Sequence, residues 1–380
     1  MVDFNFIIIM KRGINMKRLK LLAVAMCVIT TISMVGCGSS GDTTKAQSNS
    51  TSKFSGQKLV VGVWGGTWKD AFEEACVKPF EEETGVTIEM EEMGDNIVAQ
   101  TKAQVQQNIP GIDLVAGVGN ADFAMYLGKE GAIKELDYNK IPNSKYVDDA
   151  AKTKYGIGQY ICAINFTYDK DKFSEIPKGA AGFWDTKTYP GDRAMIGFSA
   201  AGVLEQALLA DGVTYKDLYP LDIDRAFKKL DELKPSITKF WNSGSEIVQT
   251  INDKEAVAGD YWYAHANRAK NAGSNIAVNM QDGPKFADSF GIVSNTKSED
   301  LSYAFIDYCL GTKAQAAFSQ KVGYAPINKE AVSLLPEEMQ KTIAPLYESY
   351  ENGGTFWVDQ NYWVDNFEEL TKRYMEWVAK

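Results

Sequence analysis

The chain has 380 residues, more than one hydrophobic core usually organises, so its length favours two domains. Its contents of 45% hydrophobic and 24% charged residues are ordinary for a globular protein. The formal net charge of −10 at pH 7 argues against nucleic acids and anionic lipids as ligands, because an acidic surface repels both. Acidity alone favours a role in solubility, although it would also suit a cationic ligand.

The N-terminal segment has the pattern of an exported lipoprotein. A basic stretch at residues 16–20 precedes an apolar stretch at 21–35, which has the length of a signal-peptide core but is too short and too polar for a good membrane span. Cys37 follows a glycine at the end of this stretch, which resembles the lipobox of bacterial lipoproteins, where the cysteine is lipidated after signal cleavage. The alternative is an ordinary secretory signal with a chance cysteine.

The stretch that follows supports a lipid anchor. Residues 37–57 are dominated by Gly, Ser, Thr, Asn and Gln, a composition that cannot form a core and is typical of a flexible tether. We therefore predict that residues 1–36 are a signal peptide that is removed. The mature protein is expected at the extracytoplasmic face of the cell membrane, anchored by lipid on Cys37.

Cysteine and histidine usage narrows the chemistry. Cys76, Cys162 and Cys309 lie far apart without any CxxC spacing, so we expect them to be small buried residues. His265 is the one histidine of the chain, which disfavours Ser-His and Cys-His hydrolases and histidine-based metal sites. Catalysis by paired carboxylates stays open. No metal or cofactor is expected.

The first part of the predicted globular body indicates a β-α-β unit. A helix is expected to begin beside Thr67, which can cap it, and to end at Gly85, with a kink or early stop near Pro79. Strands are predicted at 58–64, 86–90 and 113–117. A β-α-β unit implies a parallel sheet covered by helices.

A second set of elements begins after Ile161. Strands are predicted at 193–198, 237–241, 256–262, 276–280 and 290–293. Helices are predicted at 203–210 and along the C-terminal apolar stripe from Phe367 to Val378. Two more are expected to begin at a cap formed by Asp222 or Asp224 and at a capping box formed by Thr312 and Gln315. The fold class is therefore α/β, with two doubly wound lobes. Ligands of such sheets bind at the carboxyl ends of the strands, which implies a cleft between the lobes.

Several stretches, in order, resemble one protein family. They are VWGGTWKDAFEEACVKPFEEETGV (63–86), IDLVAGVG (112–119), FWDTKTYPGDRA (183–194), LYPLDIDRAFKKLDELKP (218–235), FWNSGSEIVQ (240–249) and VGYAPIN (322–328). From Lys58 to about Trp377 the chain is similar to the spermidine/putrescine-type extracellular solute-binding proteins of ATP-binding cassette (ABC) importers.

The resemblance implies a type 2 periplasmic-binding-protein fold with crossovers near Cys162, Phe286 and Gly311. Lobe 1 would comprise 58–162 with a return at 287–311, and lobe 2 would comprise 163–286 with the helices of 312–380 mainly attached to it. The implied function is capture of a polyamine or similar small amine by a monomer that delivers it to ABC permease subunits. Relatives that bind 4-aminobutyrate, opines or other amino compounds leave those ligands open.

Aromatic and acidic residues at strand ends are the candidate ligand contacts. They are Trp64, Thr67, Asp122, Asp169, Trp241, Asp260, Trp262, Asp282 and Tyr324. A buried ammonium needs carboxylates to offset desolvation, and each stacked aromatic ring adds about 0.5–2 kcal/mol. The resemblance assigns the amine-binding role to Asp169 and the stacking role to Trp262. The position of Asp122 after the third strand favours a helix cap that also faces the cleft. Arg268 could pair with a ligand carboxylate, but the pattern favours a solvated helix.

Two other classes of function stay open. A secreted carboxylate-based hydrolase needs only a pair of acids, although no specific pair stands out in the sequence. A surface adhesin or scaffold would lack a deep cleft between the lobes and would not be stabilised by a small ligand. The binding-protein interpretation is the one that the family resemblance favours.

Overall fold

The computed structural model describes residues 53–119, 127–173, 175 and 177–380. The predicted signal peptide, residues 37–52 of the predicted tether, Cys37 and Asp122 lie outside these residues. The last residues of the predicted tether, 53–57, are part of the folded body, since Phe54 is buried and the Gly56 amide donates to the Gly85 carbonyl at 2.8 Å. The strands are β1 (Lys58–Val63), β2 (Thr87–Glu92), β3 (Leu114–Val118), β4 (Ile157–Asp169), β5 (Arg193–Ile196), β6 (Ile237–Trp241), β7 (Ala258–Trp262), β8 (Ile276–Asn279), β9 (Pro284–Ile292), β10 (Ala325–Pro326) and β11 (Phe356–Trp357).

Helices cover the sheet. They are α1 (Thr67–Phe72), α2 (Lys78–Thr84), α3 (Ile97–Gln106), α4 (Gly179–Trp184), α5 (Val203–Ala210), α6 (Ile223–Leu233), α7 (Gly244–Asn252), α8 (Tyr263–Asn271), α9 (Glu299–Cys309), α10 (Thr312–Val322), α11 (Glu337–Ile343) and α12 (Gln360–Val378). Within the described ranges, none of these helices combines the length and the apolar character that crossing a membrane requires.

Two sets of parallel strands are joined by two long antiparallel strands. The strand order is β2-β1-β3-β9-β4-β7-β5-β6. Strands β1, β2 and β3 are parallel to one another, as are β5, β6 and β7. The first half of β4 pairs with β9, and its second half pairs with β7. We call the paired residues 157–163 of β4 and 285–290 of β9 the central ribbon.

The register of the central ribbon makes the two parallel sets face each other. Strand β3 is antiparallel to β9 and β9 to β4, so β3 runs in the direction of β4, whereas β7 runs against it. The carboxyl ends of both sets therefore point toward the middle of β4. Val118 lies level with Gly158 and Trp262 lies level with Ile164, so about 20 Å of β4 separates the two edges. This gap is the cleft expected from the sequence.

The first β-α-β unit forms as predicted and ends its helix at Gly85, but the roles of Thr67 and Pro79 differ from those expected. Gly85 adopts a left-handed conformation (φ 72°, ψ 18°) and ends α2. Thr67 is the first residue of α1 and does not cap it, since the N-cap is Gly66 and no side chain caps this end. The interruption is a π-helical turn at Glu73–Val77, so Pro79 lies in the first turn of α2, where its missing N–H is tolerated.

The chain stays with lobe 1 longer than the resemblance implies. Helix α10 packs against α1, with the ring centroids of Phe318 and Trp68 5.5 Å apart. The expected crossover near Gly311 therefore falls later, after β10, which pairs with Ile161 and Tyr160 of β4. The predicted Thr312/Gln315 capping box is also wrong, because Gln315 is buried and donates hydrogen bonds to the carbonyls of Gln159 and Cys309.

Helix α12 belongs to lobe 2, as predicted for the C-terminal stripe. The hydroxyl of Tyr374 donates to the Ile196 carbonyl at 2.6 Å. Deeper in the lobe, the fully buried Glu205 accepts hydrogen bonds from the Gly202 amide (2.8 Å), the Tyr219 hydroxyl (2.6 Å) and the Trp363 indole (2.7 Å). Burial raises the pKa of Glu205, and the hydroxyl and indole donors oppose that shift. One side chain thus joins α5 to α12.

We predict that Glu205→Ala lowers the free energy of unfolding by about 2–4 kcal/mol, because three donors would lose their acceptor inside the core. Urea unfolding followed by tryptophan fluorescence measures this. Glu338→Ala, on the exposed side of α11, is the control and should change stability by less than about 0.5 kcal/mol. Equal stability of the two variants would contradict the structural role of Glu205.

His265 provides a pH-dependent test of the packing between α7 and α8. Its ring lies against Gly244, where an added Cβ would come 2.1 Å from His265 Cε1. Burial, assisted by the charge of Arg268, lowers the pKa of His265 from 6.5 to about 4. Between pH 6.5 and 4 the imidazole is protonated in the unfolded chain and neutral in the folded chain. The packing of the neutral ring therefore contributes its full stabilisation above pH 6.5 and loses it as the pH falls toward 4.

The imidazole of the sole histidine can be followed directly by proton NMR. We expect its Hε1 resonance to titrate with a midpoint of about 4 in the folded protein, and at the ordinary value of about 6.5 in urea. A folded-state midpoint close to the urea value would show that the ring is not buried against Gly244.

Candidate functional site

The central ribbon has two faces with different chemistry. Directly opposed residues of paired strands point to the same side, and successive residues alternate. Tyr160 and Cys162 are therefore on one face with Asp288 and Phe286, which we call the cleft face. Ile161 and Ala163 are on the other face with Ala287 and Lys285, which we call the rear face.

Lobe 2 contributes an apolar wall on the cleft face. A cavity of about 240 Å³ opens at the carboxyl ends of β5 and β7. Its lining comprises Ile164, Ile196, Phe198, Ser199, Ala201, Trp262, Phe286, Phe367 and Thr371. The half-buried Trp262 meets the ring of Phe286 edge to face at a centroid distance of 5.8 Å. The wall suits the hydrocarbon part of a ligand, since none of its lining residues is charged.

Lobe 1 presents indole rings at the end of β1. The Trp64 indole donates a hydrogen bond to the Gly117 carbonyl, and Trp64 remains half-buried. Gly117 has φ 66°, and a Cβ there would lie 2.8 Å from the Trp68 ring and 2.9 Å from the Trp64 ring, so this position requires glycine. Trp68 is buried and donates to the Tyr160 hydroxyl at 3.1 Å. Trp68 thus packs in the lobe, whereas Trp64 lies at its edge.

Two opposite charges act on one phenol at the floor of the cleft. The ring of Tyr324 stacks on Tyr160 with centroids 4.9 Å apart. Burial raises the pKa of Tyr324, the Asp288 carboxylate raises it further, and the Arg268 guanidinium lowers it. Asp288 is half-buried on the cleft face and also hydrogen-bonds Tyr160, and Arg268 is exposed on α8. A carboxylate on β9 and a guanidinium on α8 are thus near enough to the Tyr324 hydroxyl to move its pKa in opposite directions.

Two predicted contacts lie beneath the lobe 2 wall and support it. Trp241 is completely buried, and its indole donates to the Asp260 carbonyl at 2.7 Å. The Asp260 side chain is also completely buried and accepts from the Ile196 amide at 3.0 Å. Burial raises the pKa of Asp260 well above its usual range, which favours the neutral acid. Neither side chain reaches the surface of the cleft.

Two other predicted acids lie away from Trp262. Asp169 ends β4 beyond Tyr168, which pairs with Ala258 at the start of β7, so it lies at the opposite edge of the lobe 2 sheet. Its Oδ1 accepts from the Asp171 amide at 2.8 Å, and Lys254 lies 3.7 Å from its Oδ2.

Asp282, in a left-handed turn (φ 60°), accepts from the Ala180 amide at the start of α4 at 3.0 Å. The structure thus brings together Trp64, Trp262 and Tyr324 around the cleft, with the exposed Thr67 at its lobe 1 edge.

Sequence reasoning missed Asp288, Phe286 and Phe198. Phe198 follows the end of β5, so the strand-end argument that selected Trp262 could have found it. Asp288 and Phe286 lie on β9, an interior strand whose pairing with β4 no local pattern reveals. Among the described residues, no group of three or more His, Cys, Asp or Glu side chains could hold a metal ion. Cys76, Cys162 and Cys309 are buried and free of disulfide bonds, as predicted.

Comparisons with known proteins agree with this geometry. Residues 75–345 match the family described as bacterial extracellular solute-binding proteins. The chain is 30% identical to the gamma-aminobutyric acid-binding protein of Pseudomonas aeruginosa, over 85% of this chain and 92% of that one. It is 25% identical to spermidine/putrescine-binding periplasmic protein 1 of Haemophilus influenzae, over 82% and 86% of the two chains.

A solved structure described as a GABA receptor aligns with a TM-score of 0.77 at 33% identity, covering 85% of this chain and 98% of that one. The predicted family and the two-lobe α/β fold class are confirmed. The chain belongs to the family of bacterial extracellular solute-binding proteins.

Proposed function

We propose that this protein is the lipid-anchored receptor of an ABC importer and that it captures a short amino acid of the 4-aminobutyrate type between its lobes. The observation that carries the proposal is the half-buried carboxylate of Asp288, which lies on the cleft face beside Phe286 of the apolar wall. Arg268 lies on α8, whose first residue, Tyr263, meets the Tyr324 ring at a centroid distance of 6.4 Å. Asp288 would receive the ammonium group and Arg268 the carboxylate. Relatives that bear the name of a 4-aminobutyrate binder support the same ligand class.

The apolar wall fits the remainder of such a ligand. The methylene chain would lie against Trp262, Phe286 and Phe198, where burial contributes about 0.8 kcal/mol for each methylene group. Trp64 would close the cleft from lobe 1. Closure would remove the ligand from water and strengthen both charge contacts.

A polyamine is the second candidate, favoured by the polyamine-binding relative. Each of its ammonium groups would need a carboxylate to offset desolvation. Of the predicted acids that the structure describes, Asp169 and Asp282 point elsewhere and Asp260 is enclosed below the wall. Arg268 would repel a polyamine, whereas it would attract an amino acid. The geometry therefore favours the amino acid.

Charge variants separate the two ligands. We expect the wild-type protein to bind 4-aminobutyrate more tightly than putrescine, and Asp288→Asn to weaken 4-aminobutyrate binding by about 10-fold or more through the loss of a charge-assisted contact. Arg268→Met should weaken 4-aminobutyrate by a similar factor while leaving putrescine binding unchanged or stronger. Isothermal titration calorimetry measures the affinity of all three proteins for both ligands.

Lys270→Met is the matched control for Arg268→Met, since Lys270 is an exposed cation two residues further along α8. It should bind 4-aminobutyrate like the wild type. Preference of the wild type for putrescine, with Arg268→Met unaffected toward 4-aminobutyrate, would reverse the ligand assignment. Hydrolysis of a chromogenic glycoside or ester by the purified protein would instead support the hydrolase alternative.

The lipid anchor is tested by fractionation. In a bacterial host, Cys37→Ser should move the protein from the membrane fraction to the soluble exported fraction, because its one acylated residue would be lost. Cys27→Ser, within the segment that is removed, should leave the protein in the membrane. Unchanged membrane association of Cys37→Ser would contradict the anchor without affecting the solute assignment.

A further inference from the structure

A second cavity lies on the rear face of the central ribbon. It has a volume of about 220 Å³ and is lined by residues from several separate segments of the chain. Among them are Lys145, Asp148, Lys285, Lys329, Tyr347 and Trp357. Ile161 contributes to its floor, which places the cavity on the side of the ribbon away from Trp262 and Tyr324. We call it the rear crevice.

Lys285 is the most unusual group of the rear crevice. The residue is only 7% exposed, and its ammonium donates to the Leu346 carbonyl at 2.7 Å and lies 5.0 Å from the centre of the Trp357 ring. A carbonyl and an aromatic face are weak compensation for the water that a buried ammonium has lost. Burial accordingly lowers the pKa of Lys285 to about 8.

The rest of the crevice adds positive charge. Lys145 and Lys329 are exposed at its rim, and Lys145 lies over the Tyr146 ring. Asp148 is the acidic residue among those that line the cavity, and its Oδ1 already accepts a hydrogen bond from the Ala150 amide at 2.9 Å. Three cations thus meet one carboxylate in a partly enclosed space. Such a surplus attracts an anion and holds it more strongly than an open surface would.

We propose that the rear crevice binds a small tetrahedral oxyanion, of which inorganic phosphate and sulfate are the simplest, with Lys285 at its base and Lys145 and Lys329 at its rim. The volume of the crevice is several times the roughly 30 Å³ share of one liquid water molecule, so an oxyanion fits together with part of its hydration. Ammonium groups bind oxyanions as point charges without a fixed geometry, which suits one buried lysine and two exposed ones.

The site spans segments that connect the lobes. Lys285 belongs to β9, Lys145 precedes β4, and Trp357 forms β11 beside β9. An anion there would join these segments across the rear of the ribbon while the solute binds on its cleft face. The proposal is independent of which solute the cleft accepts, and it is tested without solute.

Thermal unfolding of the full chain, at pH 7 and at an ionic strength held constant with potassium chloride, is the measurement. Inorganic phosphate and sulfate should each raise the Tm along a saturating curve, as expected for a ligand that binds only the folded state. Lys285→Met should abolish this shift. Lys234→Met should retain it, because Lys234 also donates to carbonyls, those of Trp377 and Val378, and lies over aromatic rings, but outside the crevice.

A second variant keeps the proposal testable even if Lys285→Met does not fold. The double variant Lys145→Gln/Lys329→Gln changes only exposed side chains and should weaken phosphate binding several-fold at unchanged Tm without phosphate. The proposal is overturned if the Tm of the wild type does not respond to phosphate or sulfate or rises without saturation. It is also overturned if the double variant, or a folded Lys285→Met, responds like the wild type.

Discussion

The pairing of β4 with β9 on one half and with β7 on the other is the constraint on which the site depends. Because β4 is continuous from Ile157 to Asp169, the two parallel sets of strands are held in opposite directions, and both present their carboxyl ends to one gap. The loops after β1, β5 and β7 then border the same gap although they are far apart in sequence. Every aromatic contact proposed for the solute follows from this register, since a slip of one residue would exchange the cleft face for the rear face.

The acids of lobe 2 show that burial decides whether a carboxylate is available to a ligand or only supports the packing of the lobe. Glu205 and Asp260 are completely enclosed. Both oxygens of Glu205 accept hydrogen bonds, from an amide, a hydroxyl and an indole. Oδ1 of Asp260 accepts from the Ile196 amide and the Trp241 indole. Burial raises the pKa of both, and because both side chains are enclosed in the lobe, neither can contact a ligand in the cleft. Asp288 differs because it is half-buried on the ribbon and faces the gap. An ammonium group can approach Asp288 without disturbing the core.

The sequence predicted the elements better than the contacts. Many strand and helix positions followed from local periodicity and from turn residues such as Gly85, but β4 was not predicted and β9 was predicted only at its end, 290–293. The strand-end rule selected Trp64 and Trp262, which lie at the ends of β1 and β7. It failed for Asp169, because β4 runs against β7 and its end lies at the far edge of the sheet. Strand direction, like the pairing that makes Asp288 a floor residue, is a long-range property that no single stretch of sequence encodes.

The two faces of the ribbon also explain how one structure can hold two ligands of different charge. Because side chains alternate along β9, Asp288 and Phe286 lie on the cleft face, whereas Lys285 lies on the rear face. An amino compound and an oxyanion would therefore lie on opposite sides of a single layer of strands, with no shared side chain. Because both would contact the segments that connect the lobes, any change in the angle between the lobes alters both sites, and their affinities become linked through that angle.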